Sequence, residues 1–169
     1  MDKAKTSTES RQFLSFLLDK ELFAFEVLKV REVLEVTRIT KVPKTPAFMV
    51  GVINLRGGVV PVVDLRLKFD LPATEATVDT SIIIVEASQE GETFVIGALV
   101  DAVKAVIRLD GGEIEEAPKV GMRLSGEFIA GIGKKGGTFV ILLDSDRVFS
   151  RKEMDAVAEA SAQSDAQEA

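Results

Sequence analysis

The sequence predicts a mainly β protein that contains one or two small barrels. Short apolar runs of strand length follow one another at near-regular spacing, with turn residues between them. An internal repeat supports this fold class: the run 48–52, Phe-Met-Val-Gly-Val, is echoed 80 positions later by Phe-Ile-Ala-Gly-Ile at 128–132. Asp64 then recurs as Asp144 at the same separation. We therefore expect two related β-rich half-structures of about 70–80 residues.

The strands are predicted in order along the chain from alternating or continuous apolar runs. In the first, Leu14, Phe16 and Leu18 share one face, and the turn 19–21 leads into the second. Pro61 has no amide hydrogen to donate, so its strand is expected at a sheet edge or with a bulge there. The predicted strands cover residues 12–18, 22–25, 49–53, 59–65, 81–87, 92–100, 128–133 and 138–143.

The repeat extends into the turns and upstream of the hairpins. Gly57-Gly58 reappears as Gly136-Gly137, one residue out of step with the separation of 80. Upstream, three apolar residues have counterparts 73 positions later: Val30 matches Val103, Val33 matches Val106, and Leu34 matches Ile107. Chance similarity between two β-hairpins is the alternative explanation.

The two halves are expected to meet near the polar stretch 72–80, and the chain ends differ from both. Ser150-Arg-Lys-Glu153 fits a capping box, and Phe149 and Met154 are spaced as a hydrophobic staple. An exchange of strands between the two barrels is left open. The predicted units are a mobile tail at 1–11, a domain at 12–160 with barrels at about 12–75 and 76–149 and a helix at 150–160, and a mobile tail at 161–169.

Composition narrows the function before any motif is considered. The 169 residues include no histidine and no cysteine, which removes the usual general base near neutral pH, the usual zinc ligands and disulfides. The net charge of −6, scattered basic residues and the lack of Tyr and Trp argue against nucleic-acid binding. No metal or cofactor is expected. The N-terminus lacks an apolar segment, so we expect a cytoplasmic location.

Two patterns suggest chemistry, but each has a plainer explanation. The run 131–136, Gly-Ile-Gly-Lys-Lys-Gly, formally matches the dinucleotide fingerprint, yet a strand follows it where the fingerprint needs a helix. Its glycines are therefore interpreted as hairpin residues. Asp64, Asp101 and Asp144 each end an apolar run, which is ordinary turn chemistry for aspartate. Neither pattern predicts catalysis.

The most informative run spans residues 46–69. Two apolar β-type segments flank the turn 54–58, Asn-Leu-Arg-Gly-Gly, whose glycines supply the positive φ angles that a hairpin needs. No turn geometry requires Arg56. This run closely resembles the signature of the CheW family, adaptors that couple chemoreceptors to their histidine kinase in bacterial chemotaxis. The similarity runs from about Gln12 to Met154.

The resemblance implies a fold and a function. The implied fold is mainly β, with two small SH3-like five-stranded barrels packed around a shared hydrophobic core and a short C-terminal helix. The implied function is a non-enzymatic scaffold that couples the cytoplasmic helical tips of chemoreceptors, the methyl-accepting chemotaxis proteins, to the regulatory domain of the chemotaxis histidine kinase. Such a protein would be recruited to receptor arrays at the membrane without inserting into it.

Two other functions remain open at this point. One is a CheW-like adaptor of a paralogous motility or developmental pathway. The other, from a different class, is a small β-barrel enzyme that uses carboxylate or lysine chemistry. Such an enzyme would need a deep pocket with a group whose pKa is perturbed.

The resemblance also implies three sites. The residues that match a receptor-binding groove between the barrels are Leu14, Val27, Val30, Val33 and Val103. Those of the signature turn and its supporting ion pair, Glu32 with Arg56, are Glu32, Asn54, Leu55, Arg56 and Gly57. Those of a candidate kinase-contact loop are Ile114, Glu115 and Val120. The alternatives are that the groove residues are core and that the two charges face solvent. Some relatives carry a basic residue and an aromatic at the last two loop positions, and this chain has neither.

Overall fold

The computed structural model describes residues 10–117, 126–150 and 153 of the chain. The strands are β1 (Ser10–Leu18), β2 (Glu21–Glu26), β3 (Val30–Glu35), β4 (Met49–Leu55), β5 (Gly58–Asp64), β6 (Ser81–Gln89), β7 (Glu92–Val100), β8 (Ala102–Asp110), β9 (Ile114–Glu115), β10 (Ile129–Lys135) and β11 (Thr138–Leu143). The helices are α1 (Leu65–Lys68) and α2 (Ser145–Val148), and 3-10 turns cover Val27–Lys29, Gly111–Glu113 and Gly126–Phe128.

The strands form two curled sheets, and equivalent strands of the two halves are arranged in the same order in each. One sheet has the order β8-β1-β2-β11-β10-β9, and the other has the order β3-β6-β7-β5-β4. In each, neighbouring strands are antiparallel except for one parallel contact, β2 with β11 and β5 with β7. The mainly β fold class predicted from the sequence is confirmed. The first sheet carries one strand more than the five expected, because the two-residue strand β9 pairs with β10.

Each sheet contains a hairpin from the other half of the chain. The hairpin β1–β2 pairs with strands β8 and β11, whereas the hairpin β6–β7 pairs with β3 and β5. The ranges 12–75 and 76–149 therefore do not coincide with the two sheets. The chain passes from one sheet to the other at the turn Val27–Lys29 and again at Asp101, between β7 and β8.

The internal repeat corresponds to two equivalent hairpins, each followed by a helix. Strands β4–β5 and β10–β11 both contain a register shift near their start, at Met49/Gly51 and Ile129/Gly131. The sequence suggested that the two turns are out of step by one residue relative to the separation of 80, and this is wrong. The two-residue turns are Arg56-Gly57 and Gly136-Gly137, all four residues have positive φ, and the separation of 80 holds throughout.

Three apolar clusters fill the part of the molecule that the structure describes. The largest lies between the two sheets and includes five phenylalanines, Phe16, Phe23, Phe25, Phe69 and Phe149. Two smaller clusters each belong to one sheet, and residues of β6 alternate between clusters, with Ile83 and Val85 in the large one and Ile82 and Ile84 in a small one. This burial on both faces explains why β6 is a continuous apolar run instead of an alternating one.

Several sequence expectations need correction or lie outside the described residues. Strands β3 and β8 were not among the predicted strands. Pro61 lies in the interior strand β5, not at a sheet edge. It pairs with Val52, whose amide and carbonyl both form hydrogen bonds with Thr40, so Val52 does not need an amide donor from Pro61. Within the predicted helix 150–160, Glu153 is helical and its amide donates to Ser150 Oγ at 3.4 Å. Ser10 and Arg11, which were predicted to belong to the mobile tail 1–11, begin strand β1. Residues 1–9, 118–125, 151–152 and 154–169, with the rest of that tail, most of the helix and the tail 161–169, lie outside the described residues.

Candidate functional site

A β-bulge in β3 places Val30 and Val33 on the same face, although three positions separate them. Val30 pairs with Val85 and Val33 pairs with Ile83, and a register shift lies between them. Both partners belong to the large cluster between the sheets. In a regular strand, residues three apart point to opposite faces. The bulge therefore turns both valines toward the joint between the sheets, where Val30 is half-buried and Val33 is 44% exposed.

Strand β8 repeats this arrangement in the other sheet. Val103 pairs with Phe16 and Val106 pairs with Leu14, again across a register shift. The hydroxyl of Ser15 occupies the irregular site, since it donates to the Ala105 carbonyl at 2.8 Å and accepts from the Ala105 amide at 3.2 Å. Val103 is half-buried and Val106 is 57% exposed. We call Val30, Val33, Val103 and Val106 the valine strip.

The remaining predicted groove residues differ in how much surface they present. Leu14 is buried in the cluster between the sheets, so it supports the valine strip from beneath and is not surface. Val27 is half-buried against the same cluster, in a turn that contacts both β1 and β6. Leu28, in the same turn, is 85% exposed. The predicted set therefore combines floor residues with surface residues.

The signature turn holds Arg56 in a backbone conformation that suits glycine better than arginine. Its φ is +52°, and its counterpart in the other hairpin is Gly136 at +55°. The Asn54 side chain accepts a hydrogen bond from the Gly57 amide at 3.0 Å, which fixes the turn. Leu55 is half-buried beneath it. Left-handed backbone is unfavourable for a residue with a Cβ, so the turn geometry itself gives no reason for an arginine at this position.

The predicted contact between Glu32 and Arg56 is present and bidentate. Arg56 Nη1 donates to Glu32 Oε2 at 2.6 Å, and Nη2 donates to Oε1 at 3.0 Å. The hydrogen bond and the charge of Glu32 raise the pKa of Arg56 above its ordinary value. Strands β3 and β4 are opposite edges of one sheet, so this pair joins the two edges. A backbone bridge between Thr40 and Val52 closes the same gap.

Two further ion pairs lie where the chain crosses between the sheets, and their charges are reversed. Arg66, the second residue of α1, donates to both oxygens of Asp101 at 2.8 and 2.7 Å. Asp146, the second residue of α2, accepts from Lys29 at 3.3 Å and from the Ser88 amide at 2.7 Å. Both contacts connect a helix that follows a hairpin with one of the two crossings.

Burial and hydrogen bonding act in opposite directions on the acids near Arg66. Burial alone would raise the pKa of Asp101, but hydrogen bonds from the Arg66 guanidinium and the Asp19 amide, with the charge of Arg66, hold it below its ordinary value. Asp64 caps α1 by accepting from the Arg66 amide at 2.9 Å. Burial raises the pKa of Asp64, and its hydrogen bonds with backbone amides offset only part of that rise.

The described part of the candidate kinase-contact loop borders a shallow depression of about 490 Å³. Ile114 is half-buried and Glu115 is exposed on β9, where Glu115 accepts from Lys134 Nζ at 2.7 Å. The floor is apolar and includes Phe139, which is 62% exposed. The other lining residues are Glu21, Glu116, Ile132 and Ile141. Val120, the third predicted residue of this loop, lies outside the described residues.

Sequence reasoning missed two exposed apolar residues beside the predicted groove. Val106 was noticed only as the repeat counterpart of Val33, and that pairing was the available signal for including it. Leu28 gave no signal beyond its place in an apolar segment. Among the described residues, no cluster of acidic side chains is arranged to hold a metal ion, and none of the helices is long and apolar enough to cross a membrane.

Comparison with known proteins gives a consistent family. The model of the CheW-like domain matches residues 12–153. The chain is 34% identical over 154 residues to the chemotaxis protein CheW of Klebsiella aerogenes, covering 91% of this chain and 90% of that protein. It is 32% identical over 146 residues to CheW of Rhizobium meliloti, covering 86% and 92%. The crystal structure of the scaffolding protein TtCheW from Thermoanaerobacter tengcongensis is similar with a TM-score of 0.77 at 34% identity, covering 86% of this chain and 96% of that one.

Proposed function

The chain belongs to the CheW-like family, and from this premise we propose that it couples chemoreceptors to a histidine kinase. As a member of that family it is a scaffold or adaptor of chemotaxis and not an enzyme. The observation that carries the finer proposal is the valine strip, an apolar surface at the joint of the two sheets. A protein that carries no chemistry of its own acts through such surfaces.

The valine strip suits the helical tip of a chemoreceptor. Its four valines come from two edge strands of different sheets, so the strip spans the joint. Amphipathic helices dock on apolar surfaces through residues at i, i+3, i+4 and i+7, and burial stabilises the contact by ~25 cal/mol per Å². Val33 and Val106 offer the exposed area, while Leu14 and Val27 keep the floor rigid beneath them.

The pair Glu32–Arg56 is proposed to position the signature turn beside this surface. Arg56 remains 74% exposed while it holds Glu32, so part of its guanidinium is free to meet a partner. A planar fork that binds a carboxylate through two hydrogen bonds cannot be replaced by lysine without losing one of them. Asn54 and Gly57 then serve the turn, and Arg56 serves both the sheet edges and the partner.

The depression beside β9 is proposed to receive the regulatory domain of the kinase. It combines an apolar floor with a charged rim, which is the usual composition of a specific protein contact. Glu115 lines the depression from this loop, and Ile114 precedes it on β9. The same set of contacts at a receptor array accounts for recruitment of a cytoplasmic protein to the membrane. Several weak contacts in an array raise the effective concentration of each partner.

The receptor surface is tested with Val33→Asp. Binding to a soluble receptor tip from the same source should weaken about tenfold or more, because a carboxylate would be desolvated in an apolar contact. Val78→Asp is the matched control, since Val78 is 99% exposed in the connection between α1 and β6. Circular dichroism checks that both variants are folded. Equal binding by the two variants would reject the valine strip as the receptor site.

The ion pair and the kinase contact need separate tests. If Glu32 and Arg56 act together, the charge-swapped variant Glu32→Arg/Arg56→Glu should recover part of the receptor binding that either single change loses. Strictly additive losses would argue that the pair has no joint role.

For the kinase, calorimetry with the regulatory domain from the same source should give a one-to-one complex. No heat from folded protein would favour a paralogous motility or developmental pathway instead.

A further inference from the structure

The valine strip continues into a charged residue on each of the two sheets. Strands β3 and β8 each begin at a crossing between the sheets, so each runs away from the joint. Glu35 follows Val33 by two residues, with no register shift between them, and residues two apart share a face of a strand. Arg108 follows Val106 in the same way. The strip therefore ends in an acid on one sheet and in a base on the other.

These two charges occupy equivalent positions and are not compensated. Glu35 and Arg108 are 73 residues apart, as Val33 and Val106 are. Both are exposed, and within the described part of the chain neither side chain forms an ion pair. Asp110, two residues beyond Arg108, is not paired with it either. The guanidinium and the carboxylate are thus available to a partner.

The residues at the two bulges increase this difference in charge. Arg31 donates to Glu86 at 2.6 Å, so its charge is compensated within its own sheet. Its counterpart 73 positions later, Lys104, is exposed and forms no ion pair with any residue that the structure describes. Strand β8 thus carries two uncompensated cations, whereas the uncompensated charge of β3 is that of Glu35.

Apolar contacts alone leave the direction of a docked helix undetermined. The valine strip takes two equivalent valines from each sheet, so a helix turned end for end exchanges one pair of contacts for a similar pair. Opposite charges at the two ends remove this ambiguity, because the reversed direction would bring like charges together. Strand spacing places each charge about 7 Å beyond the last valine, which in a helix along the strip corresponds to about four to five residues.

We propose that Glu35 and Arg108 determine the direction in which the receptor helix lies on the valine strip. The occupant is an amphipathic helix that carries a carboxylate beyond one end of its apolar stripe and a cation beyond the other. Its carboxylate pairs with Arg108, whose guanidinium can hold it through two hydrogen bonds, and its cation pairs with Glu35. This inference rests on the proposed function, because the same surface must first be the receptor site.

Calorimetry with the soluble receptor tip from the same source measures the contribution of the two charges. Arg108→Glu and Glu35→Lys should each weaken binding about three- to tenfold at low salt, because each brings like charges into contact. The effect should disappear in about 1 M salt, where the Debye length is about 3 Å. Lys44→Glu/Glu127→Lys is the control and should bind as wild type, since it exchanges two exposed charges in the connections before β4 and β10.

The direction itself is measured with the charge-swapped variant Glu35→Lys/Arg108→Glu. The chain has no cysteine, so a nitroxide can be attached at Thr37→Cys, two residues beyond Glu35, or at Gln12→Cys, opposite Arg108 in the pairing of β1 with β8. A second nitroxide marks one end of the docking helix of the receptor tip. Pulsed electron paramagnetic resonance should give one short and one long distance with the original charges, and the swapped charges should shift the two distances toward the opposite order.

The inference is wrong if Arg108→Glu binds the receptor tip as wild type does, or if the charge-swapped variant keeps the original order of distances. Equal weakening by the control variant would also overturn it, because the effect would then not depend on the ends of the strip. Any of these results, with binding still weakened by Val33→Asp, would leave the valine strip as the receptor site. Wild-type protein that does not bind the tip, or Val33→Asp that binds as wild type, would overturn the proposed function and this inference together.

Discussion

The ion pair between Arg66 and Asp101 offers the sharpest test of how the two sheets are held together. The Arg66 side chain is 14% exposed and that of Asp101 is 24% exposed. Arg66 also donates to the Pro72 carbonyl at 2.9 Å and lies 3.8 Å from Asp19. Asp101→Asn keeps the shape of the side chain but removes the charge. It would leave a mostly buried guanidinium with one neutral amide oxygen in place of the carboxylate, beside the Pro72 carbonyl and a distant carboxylate.

The magnitude follows from this geometry. Hydrogen bonds to charged groups contribute about 1.5–3 kcal/mol each, and breaking a fully buried pair costs about 3–5 kcal/mol. Because Arg66 keeps a neutral amide oxygen, the Pro72 carbonyl and Asp19 as partners, and both side chains have some solvent contact, we expect Asp101→Asn to lower the free energy of unfolding by about 2–3 kcal/mol at pH 7. For a chain of this size that is a fall in Tm of roughly 4–12 °C.

Urea unfolding of wild type, Asp101→Asn, Arg66→Met and the double variant measures the effect. The pair should show a coupling free energy of about 1 kcal/mol or more. The pKa of Asp101 is lowered in the folded state, so its stabilisation is present above the unfolded value of about 3.9 and is lost as the pH falls through the folded value. The difference between wild type and Asp101→Asn should therefore be constant from about pH 7 to 5 and shrink below about pH 4.

An exposed ion pair supplies the control for this experiment. Lys134 and Glu115 are 47% and 58% exposed, so Glu115→Gln should change stability by no more than about 0.5 kcal/mol. The reasoning is refuted if Asp101→Asn costs less than about 1 kcal/mol while wild-type m-values are retained, or if the cycle is additive. Either result would mean that the crossing between the sheets is held by apolar packing alone.

Three other perturbations test local parts of the fold. At pH 7, Asp64→Asn should stay within about 0.5 kcal/mol of wild type in urea unfolding, because asparagine keeps the cap and removes a desolvated charge, whereas Asp64→Ala should lose about 1 kcal/mol. Gly51→Ala should lower the free energy of unfolding by more than about 2 kcal/mol, because the added methyl would overlap the Thr40 carbonyl. Gly58→Ala is the control and should lower it much less, because a methyl there would make only ordinary contacts. Similar Tm values for the two variants would contradict this. Proteolytic cleavage between residues 72 and 80 should leave two fragments that co-elute in size exclusion, since each sheet takes strands from both, and separation of the fragments without denaturant would contradict the sheet order.

The sequence was a good guide to hairpins and a poor guide to the edge strands. Hairpins β4–β5 and β10–β11 have regular apolar patterns and glycine in their turns, and these local signals suffice. Strands β3 and β8 contain bulges, so their valines recur at a spacing of three, which matches neither the period of a strand nor the full pattern of a helix. The surface proposed for receptor binding lies on those two strands. The bulge in each strand interrupts the alternation expected of a strand, and it also places the two valines of that strand on one face.

The exchange of hairpins between the sheets is beyond any local pattern. Both β1–β2 and β6–β7 are apolar hairpins, and nothing in their turns specifies which sheet each joins. The choice is made by the shared core, where Phe16, Phe25 and Val85 bury one face of both hairpins at once. A contact between positions so far apart in sequence is decided by total burial and not by propensity. For this reason the repeat could be detected from the sequence, but the assignment of its strands to two sheets could not.

The two halves share a fold but differ at a few positions of their equivalent hairpins. Arg56 and Gly136 have nearly the same backbone conformation, with φ of +52° and +55°. Glycine adopts that conformation without strain. An arginine gains nothing for the backbone there; what it adds is the bidentate contact with Glu32 and an exposed guanidinium. Lys41 and Glu116 also differ at equivalent positions, since Thr40 bridges Val52 as Glu115 pairs with Ile132, 80 residues further on. Because the two halves share the same strand order, such side chains are what distinguishes one surface from the other.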